Sequence, residues 1–319
     1  VLWWKLGEAY SEKNNEIQAL KWYKKAASRL GKDPRLSSSI SDAAHNIGHT
    51  LMEEERNKEA ISFFSQAIEF TPSASYLYAD RGACFLYNED SQQAIEDFNQ
   101  SIRLDPTISR SYFFRGRAYV QLGEYQQAIA DVNRAIQLDP KGAAAYLQRG
   151  NIYAIYLKNL QRGIEDFNHA IDLDPTSAAA YNNRGYAYES MEDYKRAIDD
   201  YNHAISLEPE DPQYYNNRGN CFIKLEKYLE AIDDYTDVIA LKKTSDLEYK
   251  NLSNAYLQIQ EYLKSLENIN HAIDISQDKS SLFVQRAKIY YSMKNFQRAI
   301  DDYERAIQID KKFEHTGLK

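Results

Sequence analysis

Asn183, Asn217 and Asn251 stand 34 residues apart, and Gln148 and Gln285 extend the row by 35 and 34 residues. A carboxamide carries a donor and an acceptor in one plane, the complement of what a peptide unit offers. A file of such groups would hold an extended chain by its backbone and ask little of its side chains. Asn151, Asn220 and Asn254, each three residues further on, thicken the row. Polar residues in file also serve solubility alone, and both readings stand. Asparagine is a poor helix former, so its reuse calls for a reason.

Other groups with chemical potential are less promising. His169, His203 and His271 recur at one point of the pattern. Packed helices lie about 10 Å apart, beyond what one ion with ligand bonds of about 2 Å can bridge. They read as surface histidines, and no metal is expected. Cys84 and Cys221 also share a point of the pattern, where other copies have alanine, and read as small core residues. Two cysteines make no disulfide framework, which suits a reducing, intracellular and cytoplasmic setting. The carboxylates of "AIDDY" recur in copy after copy, whereas an active site is single. A Gly-rich phosphate loop, GxSxG and HExxH are all absent from the sequence. The chain therefore reads as a non-enzyme with no catalytic residue and no cofactor.

The elements that must position the amides follow from the spacing. "LDP" closes blocks at Pro106, Pro140 and Pro175, "LEP" at Pro209 and "FTP" at Pro72, a period of 34 with one extra residue between 140 and 175. The extra residue is expected in "YLKNLQRG", between helices. Each block holds two stretches of about 14 residues with helical spacing of apolar groups. Counting from each block's start, with the extra residue left out, position 8 is small: Gly7, Gly48, Gly82, Gly116, Gly150, Gly185, Gly219, Ser253 and Ala287. A helix-interior glycine costs about 1 kcal/mol against alanine, so close approach of the paired helix is the expected reason. Position 20 is small as well, from Ala19 to Ala299, and the two rows are expected to touch. Rings such as Tyr188, Phe222, Tyr256, Tyr201, Tyr235 and Tyr303 then fill the layers around them. Lys243, Gln277 and Lys311 replace the closing proline in the last three blocks, so those second helices are expected to run on.

Position 7 is arginine in six blocks: Arg81, Arg115, Arg149, Arg184, Arg218 and Arg286. The same six carry aspartate at position 23: Asp97, Asp131, Asp166, Asp200, Asp234 and Asp302. The other three have neither. Residues that vary together touch, so an Arg–Asp pair is expected between the two helices of each such block.

The 34-residue period, the paired small positions, the recurrent "AI"–aromatic–"AI" and the closing proline together resemble the tetratricopeptide repeat (TPR) family. The resemblance covers nearly the whole chain and implies an all-α, right-handed superhelical solenoid of antiparallel helix pairs. Nine units can be drawn: 1–33, then after an insertion or linker at 34–40, eight units forming one continuous solenoid over 41–313, with a tail at 314–319. The serine-rich insertion reads as a connector or hinge. Its serines serve as helix caps or as phosphorylation sites. In TPR proteins, position 6 and position 9 of the first helix line the concave groove. The resemblance thus implies a peptide-binding row of Gln148, Asn151, Asn183, Asn217, Asn220, Asn251, Asn254 and Gln285, similar to the asparagine ladder of the O-linked N-acetylglucosamine transferases. The carboxylate clamp of the cochaperone TPR domains is incomplete. Lys250 and Asn254 match its first pair, but Gln285 stands in place of the next asparagine. Starting one unit earlier gives Asn216, Asn220, Asn251, Ser281 and Gln285 with no cation. Hsp70 or Hsp90 tail binding is not expected.

Composition narrows the partners. The 319 residues are 43% hydrophobic with 12 glycines and 7 prolines, which argues against disorder. No apolar run approaches the roughly 20 residues of a membrane span, so no direct membrane insertion is expected. The net charge is −8, and residues 163–241 hold 17 acidic against 6 basic side chains, a local −11. Phosphate binding needs a basic stripe, so nucleic acid is excluded as the main partner. The acidic stretch reads as a solvated face or as a dock for a basic partner. The chain begins at Val1 inside a helical pattern and reads as a segment of something longer. The expected function is a non-catalytic scaffold that cradles an extended peptide or partner helix, centred on units five to nine. The alternatives are the non-catalytic arm of a larger enzyme and an architectural subunit of a large assembly.

Overall fold

The computed structural model describes residues 2–30, 33–241 and 246–316, and the side chains up to residue 310. Among the described residues there are eighteen α-helices, one π-helical turn and no strand. The chain divides into two compact units, Val1–Leu173 and Asp174–Lys319. The first holds α1 (Leu2–Ser11), α2 (Glu16–Leu30), α3 (Pro34–Glu53), α4 (Asn57–Phe70), α5 (Ser75–Tyr87), α6 (Ser91–Leu104), α7 (Ser109–Gln121), α8 (Tyr125–Leu138), α9 (Ala143–Asn151) and α10 (Leu160–Leu173). The second holds α11 (Ala178–Ser190), α12 (Tyr194–Leu207), α13 (Pro212–Lys224), α14 (Tyr228–Leu241), α15 (Asp246–Gln258), α16 (Tyr262–Ile275), α17 (Ser280–Ser292) and α18 (Phe296–Thr316). Each odd-numbered helix pairs with the next, and within each unit each pair stacks on the one before it. This is an all-α repeat solenoid.

The turn inside each pair has one construction. The fifteenth position takes the left-handed conformation: Glu192 at φ 61°, Glu226 at 58°, and Gly123 at 76° in the one repeat that has glycine there. Around Glu192 the Asp193 N–H donates to the Tyr188 carbonyl at 2.9 Å, closing the six-residue helix end that this conformation makes possible. A side chain at positive φ costs roughly 1–2 kcal/mol, while glycine loses about 0.5–1 kcal/mol of chain entropy. Glu192→Gly is therefore expected to raise the unfolding free energy by about 0.5–1 kcal/mol in urea titration, and Gly123→Ala to lower it by about as much.

In six repeats the position-8 glycine makes room for a ring, and at Gly116 for the branched Val132. A Cβ on Gly48 would sit 2.7 Å from Phe64 Cε1, and one on Gly150 would sit 2.6 Å from Phe167 Cε1. Phe64, Phe98, Phe167 and Tyr201 on the second helices are fully buried at that point. The position-8 and position-20 rows also touch, as expected. The backbone carbonyl of Gly163 lies 3.2 Å from the Cβ site on Gly150. Where serine replaces both residues, the Ser253 hydroxyl donates to the Ser265 carbonyl at 2.9 Å and the Ser265 hydroxyl to the Ser253 carbonyl at 2.8 Å. Tyr303, expected to fill a layer, is instead 36% exposed.

Three expectations are corrected. Residues 34–40 are no linker but the first turns of α3, capped by Asp33, whose side chain accepts from the N–H of Arg35 and of Leu36, with Pro34 opening the helix. Leu36 and Ile40 face the core and are fully buried, which holds the extension in place. The extra residue of 143–177 is absorbed inside the first helix, as the π-helical turn Ile152–Tyr156, and not in the connecting loop. The left-handed residue, Lys158 at φ 55°, keeps its place relative to α10, so the turn construction survives. Finally, α16 stops at Ile275 despite Gln277, with Ser276 extended at ψ 143°, whereas α18 does run on to Thr316. Lys243 lies outside the described residues.

Candidate functional site

The first helices carry the residues of interest, and an arginine locks each of six of them to its partner. Arg81, Arg115, Arg149, Arg184, Arg218 and Arg286 each donate from Nε and Nη2 to the two oxygens of the expected aspartate, at 2.5–3.0 Å. The aspartates are only 2–6% exposed. At Arg149 the bond donated to Asp166 outweighs burial and raises the guanidinium above its ordinary range. Rings on the same helix flank the guanidinium plane: for Arg218, Tyr215 at 5.6 Å and Phe222 at 5.9 Å.

Sequence reasoning missed the third arm. Nη1 reaches back to the preceding repeat: Arg81 to Ser65, Arg115 to Asn99, Arg149 to Asn133, Arg218 to Asn202 and Arg286 to Asn270, at 2.5–3.0 Å. Each of these five arginines thus ties its own two helices and the repeat before. The signal was in the sequence, because position 25 is serine or asparagine ahead of every arginine-bearing repeat. It is Lys24 and Thr236 ahead of Ile47 and Leu252, which replace the arginine.

The amide row divides between the two compact units. In the first, Gln148 on α9 lies against α7, its Nε2 being 3.2 Å from the Cβ site of Gly116. Its Oε1 and Nε2 are both buried without a partner among the described residues. Asn151 closes α9 at the start of the π-helical turn. In the second unit the row is partly tied into the stack. Asn182 donates to Asn183 at 3.1 Å, and Asn217 donates to Asn182 at 3.0 Å. Gln285 donates to the Lys250 carbonyl at 3.0 Å, and Asn220 accepts from the Tyr235 hydroxyl at 2.8 Å. The bonds at Asn217, Gln285 and Asn220 each use one end of a carboxamide. Asn251 and Asn254, with Lys250, form one wall of a groove of about 290 Å³. Ser281, Val284, Gln285 and Lys288 of α17 form the other. The structure therefore brings Asn251, Asn254 and Gln285 around one groove, while Asn217 and Asn220 are engaged in packing.

The remaining candidates fall as follows. His169, His203 and His271 are exposed, and each lies over a tyrosine of its own repeat, Tyr146, Tyr181 and Tyr249, at 5.1–5.3 Å between ring centroids. Cys84 and Cys221 are free and fully buried, and burial pushes both thiols up to about 12, far from reactive. A second omission concerns histidines that sequence reasoning passed over. His45 and His49 on α3 converge on the buried Asp80 of α5. Their spacing of four residues on a helix was the readable signal. Among the described residues no helix is long and apolar enough to cross a membrane.

Comparison with known families bears on the whole chain. A profile described as tetratricopeptide repeat matches residues 2–29, 41–73, 75–108, 143–177 and 212–245, more than half of the sequence. The chain belongs to the tetratricopeptide repeat family. Two further TPR profiles match 178–211 with 281–313, and 116–154. TPR proteins are protein-interaction scaffolds, generally without catalysis, and this chain is a protein-interaction scaffold. No curated protein matches the sequence. Solved TPR-like structures do. A tetratricopeptide repeat protein from Parabacteroides merdae ATCC 43184 shares 18% identity at a TM-score of 0.56, covering 78% of this chain and 98% of that one. The pilF protein of Pseudomonas aeruginosa shares 13% identity at a TM-score of 0.60, covering 69% and 97%. A chain of the APC/C hetero-tetramer Cut9–Hcn1 shares 16% identity at 0.55, covering 95% and 61%. At these identities the likeness is one of fold.

Proposed function

We propose that this TPR protein captures an extended segment of a partner protein through the carboxamides of its first helices. The observation that carries this reading is the groove between α15 and α17. Asn251, Asn254 and Gln285 meet there, and the Gln285 bond to the Lys250 carbonyl uses one end of its amide. An extended peptide laid along that face offers an N–H and a C=O at each residue, the complement of an amide's two ends. Gln148 supports the same use in the first compact unit. A carboxamide buried with both ends unpaired costs roughly 1–3 kcal/mol per group, a cost removed when the side chain turns outward to pair with a bound backbone. Lys250 and Lys288 at the rim favour a segment carrying carboxylates. No catalytic role is assigned.

The test begins with peptides selected from a random library on the whole chain. Asn251→Leu with Asn254→Leu removes two amides, each worth roughly 1–2 kcal/mol of paired hydrogen bonds, so affinity is expected to fall about 30-fold or more. Gln148→Leu is expected to separate stability from capture, raising the unfolding free energy by about 1 kcal/mol or more while weakening peptides that span its position. Unchanged affinity in the double variant, with its fold intact by circular dichroism, would remove the groove from the account.

A further inference from the structure

The three groups that meet beside α3 and α5 form a constellation of a different kind. His45 Nε2 lies 2.9 Å from Asp80 Oδ2, His49 Nε2 lies 3.2 Å from the same oxygen, and the two Nε2 atoms are 3.1 Å apart. No arrangement of protons satisfies this triangle. With one ring nitrogen protonated, the other turns its lone pair toward the carboxylate oxygen. With both protonated and neutral, two N–H groups crowd one acceptor at close range. With both imidazoles charged, two cations stand about 3 Å apart.

A metal ion at the centre resolves it. Ligand bonds of about 2.0–2.1 Å place ligand atoms about 3.0 Å apart for adjacent octahedral positions and about 3.4 Å apart for tetrahedral ones. The three observed separations lie at or near that interval. The surroundings hold the donors in place. Asp80 is 2% exposed, and its other oxygen accepts from Arg110 Nη1 at 2.6 Å, which fixes the carboxylate plane. Tyr76 at 5.0 Å and Phe64 at 5.8 Å from His45, with Phe64 also 5.8 Å from His49, pin both rings.

We propose that His45, His49 and Asp80 bind one divalent transition-metal ion of the zinc class. Two imidazoles and one carboxylate suit Zn²⁺, Co²⁺, Ni²⁺ or Cu²⁺, whereas Ca²⁺ and Mg²⁺ prefer all-oxygen shells. Three protein ligands leave a position open. His49 and Arg110 line a groove of about 670 Å³ with Glu53, Glu55, Tyr87 and Asn88, so that position faces solvent and takes water.

The test uses the whole chain without an affinity tag, freed of metal by chelation, and titrated calorimetrically with Zn²⁺. One ion per chain is expected, with tetrahedral or five-coordinate visible bands when Co²⁺ is used instead. His49→Gln, at a half-exposed side chain, is expected to weaken Zn²⁺ binding about a hundredfold or more, and His45→Gln likewise. His203→Gln, on an exposed histidine elsewhere, is expected to bind as the parent does. Zn²⁺ should raise the melting temperature of the parent and not that of His49→Gln, while both melt alike in chelator. Absence of saturable Zn²⁺ binding by the parent would overturn the site. So would Zn²⁺ binding of undiminished strength in either glutamine variant.

Discussion

Arg218→Ala is expected to destabilise the second compact unit by about 3–5 kcal/mol, because it strands Asp234 as an unpaired charge at 2% exposure. The same substitution removes the bond to Asn202 in the preceding repeat, at 2.6 Å, so the loss falls on the stacking of repeats as well as on the pair of helices. In a solenoid, stability is the sum of repeat terms and nearest-neighbour interface terms. The denaturant transition of Arg218→Ala should therefore move to lower concentration and also lose cooperativity. Arg218→Lys keeps the charge but not the fork, and is expected to recover only part of the loss. Arg218→Met with Asp234→Leu, which removes both charges, is expected to fold within about 1–2 kcal/mol of the parent. Guanidinium titration followed by circular dichroism reads all three. A cost for Arg218→Ala below about 1 kcal/mol would mean that water reaches Asp234 and that the brace is a surface pair.

Phe64→Ala is the second large effect, with an expected cost of about 3–5 kcal/mol for emptying a fully buried ring site. The informative measurement is its coupling to Gly48. Alone, Gly48→Ala puts a methyl 2.7 Å from the Phe64 ring and is expected to cost about 1–3 kcal/mol, despite alanine's better helix propensity. With Phe64→Ala already present, the methyl enters empty space and the same change is expected to stabilise by up to about 1 kcal/mol. The cycle should thus yield a coupling of about 2 kcal/mol or more, read from urea midpoints of the four proteins. Additive costs would mean that glycine is there for its backbone and not for the ring. The repeats are not uniform here: Ser253 goes with the smaller Ile269, but Gly116 goes with Val132 and Ala287 with Tyr303, so the cycle speaks for the repeat that carries Gly48 and Phe64.

Much of this was legible in the sequence because a repeat writes its contacts many times over. The match of arginine with aspartate in the same six units named the ion pair, though not its burial. The third arm was open to the same logic but was missed, because the serine or asparagine at position 25 that accompanies each arginine stands in the preceding repeat and shows only when neighbouring units are compared. Single events were harder. One extra residue between Pro140 and Pro175 shows in the spacing, yet nothing marks whether a loop or a π-helical turn takes it. Residues 34–40 looked like a connector because of their serines. The helical signal was nevertheless present in Asp33–Pro34 and in the apolar run Leu36, Ile40, Ala43, Ala44, Ile47. The amides were legible as a row but not in their division of labour. Side-chain bonds such as Asn217 to Asn182 depend on rotamers that spacing does not determine. The His45–His49–Asp80 triangle needs the stacking register to bring α5 beside α3.

The claim on which the functional account rests is that carboxamides grip a backbone and not a sequence. It is tested most directly on one selected peptide, bound to the whole chain and varied in two ways. Replacing its backbone amides one at a time with N-methyl amides or esters is expected to lower affinity about tenfold or more at several positions, as each change removes a donor from an Asn or Gln. Replacing its side chains with alanine is expected to change affinity by less than about threefold at most positions. The opposite result, with N-methylation tolerated and a few alanine changes abolishing binding, would show a side-chain reader and contradict the account.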